Sequence, residues 1–307
     1  MGMATVLNGH AAKETTWHLS NLAPTPEEEW DRLRSFLGLG SADYEAMLAT
    51  VEPLFRRGSE LVVGTYDYLL AHHDTAVILG WEKGADPEHL AERRRFFTVW
   101  LARTLGLDLS HDFARYLFRA GQIHGAHGPR QIHVPELYVT GSISLVNATF
   151  ARFLMEEMPG SPIVPAALAG WNKLLSLHLH LMLLGYQSAR AWDAGDFPVE
   201  LSFYGRVRNY TKRQSMTMHL SEGSRMDTLL TRFFNYFPVA QSDVFEIEWL
   251  DKERLDEQGR PWMVVEKSHR VRKGWRVLVN GRNISFENGP DQIIKPGDKV
   301  SIFPPGR

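Results

Sequence analysis

The spacing of the apolar residues changes near residue 193, and this change constrains the fold more than any other feature. Before that position, apolar residues recur every three or four residues, as on one face of a helix. After the segment AGDFP, residues 194–198, apolar and polar residues alternate, as in strands. The 307 residues are enough for two ordinary domains. We therefore predict a multi-domain protein in which an all-α bundle precedes a small α+β domain.

The helical part predicts seven or eight helices joined by short links. The clearest start is at Thr25, because Pro26 suits the first turn and Glu28 completes a capping box with the threonine. We expect the bundle to cover residues 25–193. Residues 1–24 lack the apolar core of a signal peptide, and we expect them to form a flexible tail.

A further helix is expected to begin at Ser41. Its apolar residues have the spacing of a single helix face: Met47, Leu48, Val51, Leu54 and Phe55.

The second part, residues 197–307, predicts strands around one helix. VELSFYGRVR and SMTMHLSEG alternate like strands, and RPWMVVEKSHRV and GWRVLVNGRNISF do so further on. The last of these contains Asn280 and Gly281, the signal of a type I′ hairpin turn. One amphipathic helix lies between the strands, with this apolar face: Met226, Leu229, Leu230, Phe233 and Phe237.

Composition excludes several kinds of site. The chain has no cysteine, which excludes disulfides, thiolate metal sites, iron–sulfur clusters, cysteine nucleophiles and c-type haem attachment. The net charge of −2 gives no field that favours nucleic acid or an anionic membrane as a partner. No apolar run is long enough to span a bilayer. We expect a cytoplasmic protein.

Residues 115–129, RYLFRAGQIHGAHGP, carry the apolar stripe of a helix into His124. Glycines and a proline follow at once and leave room beside the imidazole, as a flat macrocycle requires. A histidine on an apolar face is by itself more often a core residue. However, an all-helical domain with an aromatic interior is a normal host for haem, and histidine is the obvious axial ligand in a chain without cysteine.

These segments resemble the protoglobins and the globin domains of globin-coupled sensors. AGQIHGAHGP is similar to their proximal segment, in which an isoleucine–glycine pair is followed, after two further residues, by a histidine. Here alanine replaces the isoleucine. ERRRFFTVW is similar to the distal helix, with Phe97 at the pocket-lining phenylalanine. LVVGTYDYLL is similar to the B helix and places Tyr66 at the distal tyrosine, although Thr65 stands where protoglobins have tryptophan. HVPELYV is similar to the start of the G helix.

The resemblance implies haem b with His124 as the proximal ligand and a diatomic gas, O2, NO or CO, on the opposite side. Tyr66 is then placed to hydrogen-bond the gas or a bound water, while Phe97 and Leu145 keep the distal side dry. Trp100 is expected to line the same pocket, and Arg130 to meet a haem propionate.

Other histidines compete with this assignment. His127 is the rival ligand, although the glycine and proline that follow place it in a loop. His178 lies on the apolar face of the last helix, and we expect it to be buried with a hydrogen-bond partner. His133 lies in a loop and is a weaker candidate for a propionate.

Residues 197–307 resemble the ThiS/MoaD family of ubiquitin-like sulfur carriers, which have a β-grasp fold. The strongest match is KPGDKVSIFPP, and the insert DKERLDEQGRPWMVVEKSHRVRKG is longer than usual and is expected to extend a hairpin. These carriers end in two glycines that enter an activating enzyme, whereas this sequence ends in Gly306 and Arg307. That departure counts against sulfur transfer and favours a domain that docks a protein partner.

The main functional prediction is a haem protein that senses or handles a diatomic gas. Members of the globin family often dimerise through their last helices, so the prediction leaves open a homodimer through the globin domain. The alternatives are a haem enzyme that turns over nitric oxide, nitrite or peroxide, a sulfur carrier in molybdopterin or thiamine synthesis, and a helical interaction domain without haem. The B and E segments show no distal histidine, which argues against a peroxidase.

Overall fold

The computed structural model describes residues 17–306. Contacts divide the chain into two compact units. One is Pro24–Arg190, and the other combines residues 17–23 with residues 191–306. Within residues 17–306, no helix has both the length and the apolar character needed to cross a bilayer.

The helical region contains nine helices between Pro26 and Trp192, where the sequence predicted seven or eight. They are α1 (Pro26–Phe36), α2 (Ser41–Leu48), α3 (Val51–Arg56), α4 (Gly58–Ala71), α5 (His73–Leu79), α6 (Pro87–Leu105), α7 (His111–His124), α8 (Glu136–Glu157) and α9 (Val164–Trp192). The predicted capping box at the start of α1 is present. The Thr25 hydroxyl accepts from the Glu28 amide, and the Glu28 carboxylate accepts from the Thr25 amide.

The single helix expected from Ser41 is divided into α2 and α3 at Thr50. The Thr50 hydroxyl donates to the Met47 carbonyl at 2.8 Å and accepts from the Trp171 indole at 2.9 Å. These two hydrogen bonds stabilise the break between α2 and α3. The two helices therefore do not share one apolar face, and Leu48 and Phe55 are 66% and 68% exposed.

The core of the helical unit is aromatic at its centre. It is formed by side chains from α1, α7, α8 and α9 whose burial is complete or nearly so: Trp30, Phe113, Phe150, Phe153 and Trp171.

The second unit contains two sheets. Its strands are β1 (His18–Leu19), β2 (Phe197–Phe203), β3 (Ser215–Leu220), β4 (Phe245–Leu255), β5 (Pro261–Val271), β6 (Arg276–Val279), β7 (Arg282–Asn283) and β8 (Lys299–Phe303). Its helices are α10 (Val207–Thr211), α11 (Met226–Tyr236) and α12 (Gln241–Val244). The larger sheet has the order β3-β2-β8-β6-β7, with β2 and β8 parallel.

Helix α11 packs on this sheet through Phe233, whose ring lies 5.5 Å from that of Phe203 on β2. A mixed sheet covered by one amphipathic helix is the predicted β-grasp arrangement. Asn280 and Gly281 have φ angles of 50° and 84°, as the predicted type I′ turn requires.

The smaller sheet has the order β1-β5-β4 and is mostly the hairpin predicted from the long insert. The third strand of this sheet, β1, lies within residues 1–24, where we predicted a flexible tail. That prediction is wrong for the residues of β1. His18 and Leu19 pair with Arg270 and His269 of β5, and Leu19 is buried. The remainder of that tail before Trp17 lies outside the described residues.

Candidate functional site

Helix α7 places His124 in its last turn. The Ser110 hydroxyl caps the start by accepting from the Phe113 amide at 3.3 Å, and Gly125 follows the end. The next loop returns beside this end, because the Val134 amide donates to the His124 carbonyl at 2.9 Å. The predicted apolar stripe of α7 is buried at Phe113 and Leu117.

Helices α7 and α9 cross at glycines, with backbone against backbone. A Cβ atom at Gly121 would lie 1.8 Å from the Met182 carbonyl oxygen, and one at Gly185 would lie 1.9 Å from the Phe118 carbonyl oxygen. No other residue fits at either position without moving a helix. The glycine three residues before His124 therefore fixes how α7 presents its last turn.

The imidazole of His124 is partly buried, and its Nδ1 is fully buried without a hydrogen-bond partner of normal geometry among the described residues. Burial, helped by the charge of Arg93, lowers the pKa of His124 to about 4, although the Ala120 carbonyl one turn earlier opposes this shift. The ring is neutral at physiological pH. A neutral imidazole with a free lone pair has the chemistry of an axial haem ligand, so this residue fits the cofactor that the sequence implies.

Tyr66, Phe97 and Trp100 form a row of rings on α4 and α6. The centroids of Tyr66 and Phe97 are 6.2 Å apart, and Phe97 stacks on Trp100 at 5.4 Å. The Tyr66 hydroxyl donates to the Arg93 carbonyl at 2.9 Å. Burial raises the pKa of Tyr66 to about 12, so the phenol stays protonated and remains a donor.

Sequence reasoning missed the partners of Arg93. Its Nε donates to Nε2 of His89 at 2.9 Å, and the Trp81 indole donates to Nδ1 of the same ring at 3.1 Å. Burial, followed by the charges of Arg93 and Arg130, lowers the pKa of His89. A neutral imidazole accepts at only one nitrogen, so the two donors compete for it.

The sequence did contain a signal for this cluster. His89, Arg93 and Phe97 are spaced four residues apart and therefore share one face of α6. The positive charge of Arg93 acts on both rings: it adds to the lowering of the pKa of His124 and opposes the burial that raises the pKa of Tyr66.

The remaining predicted residues lie further out. Arg130 forms an ion pair with Glu92 at 2.7 Å, and this partner lowers the pKa of Glu92. Leu145 on α8 is 37% exposed.

The other histidines have different surroundings. His178 is fully buried as expected, but neither of its nitrogens has a partner among the described residues, which corrects the expected hydrogen bond. Its ring packs against Trp30 and Phe113 at 6.0 and 5.0 Å, and burial lowers the pKa of His178 to about 3. His133 bonds to the Tyr186 hydroxyl at 2.8 Å. His127 lies beyond the end of α7, with its carbonyl bound to Arg119.

Protein-family models match both parts of the chain. The Protoglobin family model matches residues 26–192, which is more than half of the chain, and the chain belongs to the protoglobin family. The ThiS family model matches residues 247–306, so a ubiquitin-like domain of ThiS type follows the helical globin domain.

Solved structures were also compared. The globin domain of a Geobacter sulfurreducens globin-coupled sensor is 19% identical with a TM-score of 0.40, over 51% of this chain and 97% of that one. Small archaeal modifier protein 1 of H. volcanii is 14% identical with a TM-score of 0.25, over 36% of this chain and 100% of that one. A putative molybdopterin converting factor subunit 1 from Pyrococcus furiosus is 22% identical with a TM-score of 0.24, over 36% and 100%. The comparison with curated proteins gave no match.

Proposed function

We propose that the protoglobin domain binds haem b through His124 and takes up a diatomic gas, O2, NO or CO, on the opposite side. The observation that carries this proposal is a neutral imidazole at the end of α7 whose Nδ1 has no hydrogen-bond partner of normal geometry. Membership of the protoglobin family supports it independently. Haem iron, when bound, supplies the open coordination position that a gas requires.

The chain's own residues prepare the proximal side. The glycine crossing of α7 and α9 fixes the position of the last turn of α7, which carries His124. The Ala120 carbonyl is the nearest backbone acceptor for an Nδ1 proton, and such a bond would select the tautomer whose Nε2 is the donor to a metal.

On the distal side, we assign hydrogen bonding to Tyr66. Its hydroxyl would leave the Arg93 carbonyl and donate to the gas, an interaction worth about 1–3 kcal/mol when the acceptor is partly anionic. Phe97 and Trp100 would supply apolar surface that keeps water away, and we assign the same role to Leu145 on α8. Arg130 would exchange Glu92 for a propionate.

The biological role that we propose is a cytoplasmic gas sensor or gas carrier. The ThiS-type domain would pass the signal on by contact with a protein partner.

Haem titration of the purified full-length protein tests the assignment. We expect wild type to give a Soret band that shifts when CO is added to the reduced form. His124→Ala should lose that spectrum, and added imidazole should restore it by occupying the vacated space. His127→Ala is the matched control and should behave as wild type. The proposal is wrong if wild type binds no haem, or if His127→Ala, and not His124→Ala, changes the spectrum.

A second candidate is turnover of peroxide, favoured by the cluster on α6. A buried neutral base, His89, holds a cation, Arg93, on the helix face that also carries Phe97, and general acid–base chemistry uses such groups. The haem-loaded protein would then consume peroxide, and His89→Gln would slow it roughly a hundredfold. An unchanged rate in that variant excludes a role for His89.

A further inference from the structure

Strand β4 forms an edge of the smaller sheet along its whole length. It pairs with β5 in unbroken register from Phe245 to Leu255, and no described strand pairs with its other side. The Arg272 amide donates to the Val244 carbonyl at 2.8 Å, and the Asp256 amide to the Arg260 carbonyl at 2.9 Å. Even-numbered residues therefore direct their backbone groups towards β5, and odd-numbered residues direct theirs outwards.

An exposed edge of eleven residues without proline or bulge readily accepts another strand. The two faces of the hairpin also differ. The odd-numbered face carries Asp251, Glu253 and Lys267 together with apolar side chains. These apolar side chains are 52% to 70% accessible: Ile247, Trp249, Leu255, Met263 and Val265.

The even-numbered face is charged, and its charge is unevenly distributed. Near the base of the hairpin, one cation serves two carboxylates: Arg270 pairs with Glu246 at 3.1 Å and with Glu248 at 2.5 Å. The next group is His18, 3.9 Å from Glu248. Within this group, the two carboxylates outnumber the one guanidinium.

Near the tip the ratio is reversed. Glu266 alone pairs with both Lys252, at 2.7 Å, and Arg254. On the even-numbered face, β4 therefore carries glutamates near the base and basic side chains near the tip, whereas Asp251 and Glu253 lie on the odd-numbered face.

We propose that β4 is the seam of a homodimer, in which a second copy of this chain adds its own β4 antiparallel to the first. In the register centred on Leu250, Glu248 of each copy faces Lys252 of the other, and Glu246 faces Arg254. These are even-numbered positions, which become the non-hydrogen-bonded pairs of the new ladder, where side chains approach most closely. The odd-numbered backbone groups supply the hydrogen bonds.

A second copy explains the charge pattern better than another partner does. The even-numbered face of β4, with glutamates towards one end and basic side chains towards the other, is complementary to itself only when the copies run antiparallel. A two-fold axis then repeats each favourable pair. The same register brings Trp249 diagonally opposite Trp249 of the second copy, within reach of a large ring. This dimer does not depend on haem, and it differs from a homodimer through the globin domain.

Charge exchange in the full chain tests the proposal by sedimentation. Wild type should sediment at twice the chain mass of 35.0 kDa, with or without haem. Glu248→Lys and Lys252→Glu should each weaken the dimer roughly tenfold or more, because like charges then face each other twice. The double variant Glu248→Lys/Lys252→Glu should restore it. Glu222→Lys, an equal change of charge at an exposed turn, is the control and should have no effect.

A second variant blocks the edge without touching the hairpin. Asp251→Pro removes an outward N–H and leaves the bonds to β5 in place, so it should give a monomer, whereas Asp251→Ala should not. The proposal is wrong if wild type is monomeric at about 100 µM, because a specific dimer should form at that concentration. The proposal is also wrong if Glu248→Lys and Asp251→Pro leave the dimer unchanged, or if the double charge exchange does not restore it.

Discussion

The interior around α7 and the hairpin β4–β5 use polar groups in opposite ways. Around α7, burial lowers the pKa values of two imidazoles, His124 and His178, and keeps both rings neutral. In the hairpin, charged side chains lie at the surface and pair with one another, as Arg270 does with Glu246 and Glu248. A neutral lone pair suits ligation of a cofactor, whereas an exposed charge pattern suits selection of a partner. The two proposed sites thus differ in how deeply the groups that form them are buried.

The comparison is most sharply tested by the same substitution in both regions. Trp30 is fully buried and Trp262 is 66% exposed. We expect Trp30→Ala to lower the free energy of unfolding of the helical domain by about 3–5 kcal/mol, because it leaves a cavity. Trp262→Ala should cost less than about 0.5 kcal/mol. Urea unfolding followed by circular dichroism measures both, and equal losses would remove the contrast.

The glycine crossing gives the next largest effect. Gly121→Ala should cost about 3 kcal/mol, because the added methyl meets the α9 backbone. Gly141→Ala in α8 is the matched control, since its Cβ meets nothing within 4 Å, and it should stabilise by up to about 1 kcal/mol. Urea unfolding of the two variants measures these changes in the free energy of unfolding. A Gly121→Ala protein as stable as wild type would contradict the close crossing of α7 and α9.

Acid sensitivity separates the two regions further. The pKa of His178 is about 3 when folded and about 6.5 when unfolded, so the unfolded state binds more protons between these values. The contribution of neutral His178 to the free energy of unfolding is therefore fully present above pH 6.5. It decreases as the pH drops towards 3, by about 2 kcal/mol at pH 5. Among residues 17–306, Asp108 is the charged group that acts on the pKa of His178, and it opposes the shift.

His178→Leu should remove this part of the acid dependence and should not destabilise the protein at pH 7, because both ring nitrogens are unpartnered. Unfolding curves at pH 5 and pH 7 measure the difference. An identical pH dependence in the two proteins would mean that His178 takes up protons without unfolding.

The smallest effect concerns a contact that is local in sequence. Thr25→Ala should lower the stability of the helical domain by about 1 kcal/mol, because it removes one half of the capping box. Thr25→Ser keeps the hydroxyl and should remain close to wild type. Thermal unfolding of the three proteins tests this, and a loss in the serine variant as large as in the alanine variant would point to the methyl group instead.

Local patterns predicted local structure well. The capping box at Thr25, the turn at Asn280 and Gly281, and the stripe of α7 that ends at His124 each depend on residues within one or two turns. The break at Thr50 was missed because its stabilising partner, Trp171, is 121 residues away. The cluster of Trp81, His89 and Arg93 was missed because hydrogen bonds between side chains leave only weak traces in sequence spacing.

The sequence by itself determined the order of the two domains, the type of most elements and the candidate ligand, because hydrophobic periodicity, caps and turn residues act over short distances. Only the tertiary structure decided which glycines carry a helix crossing, which imidazoles have no partner, and which strand remains an open edge. The pairing of His18 with β5 illustrates the reason: it joins residues about 250 positions apart. Such contacts depend on how completed elements pack, and no local pattern specifies them.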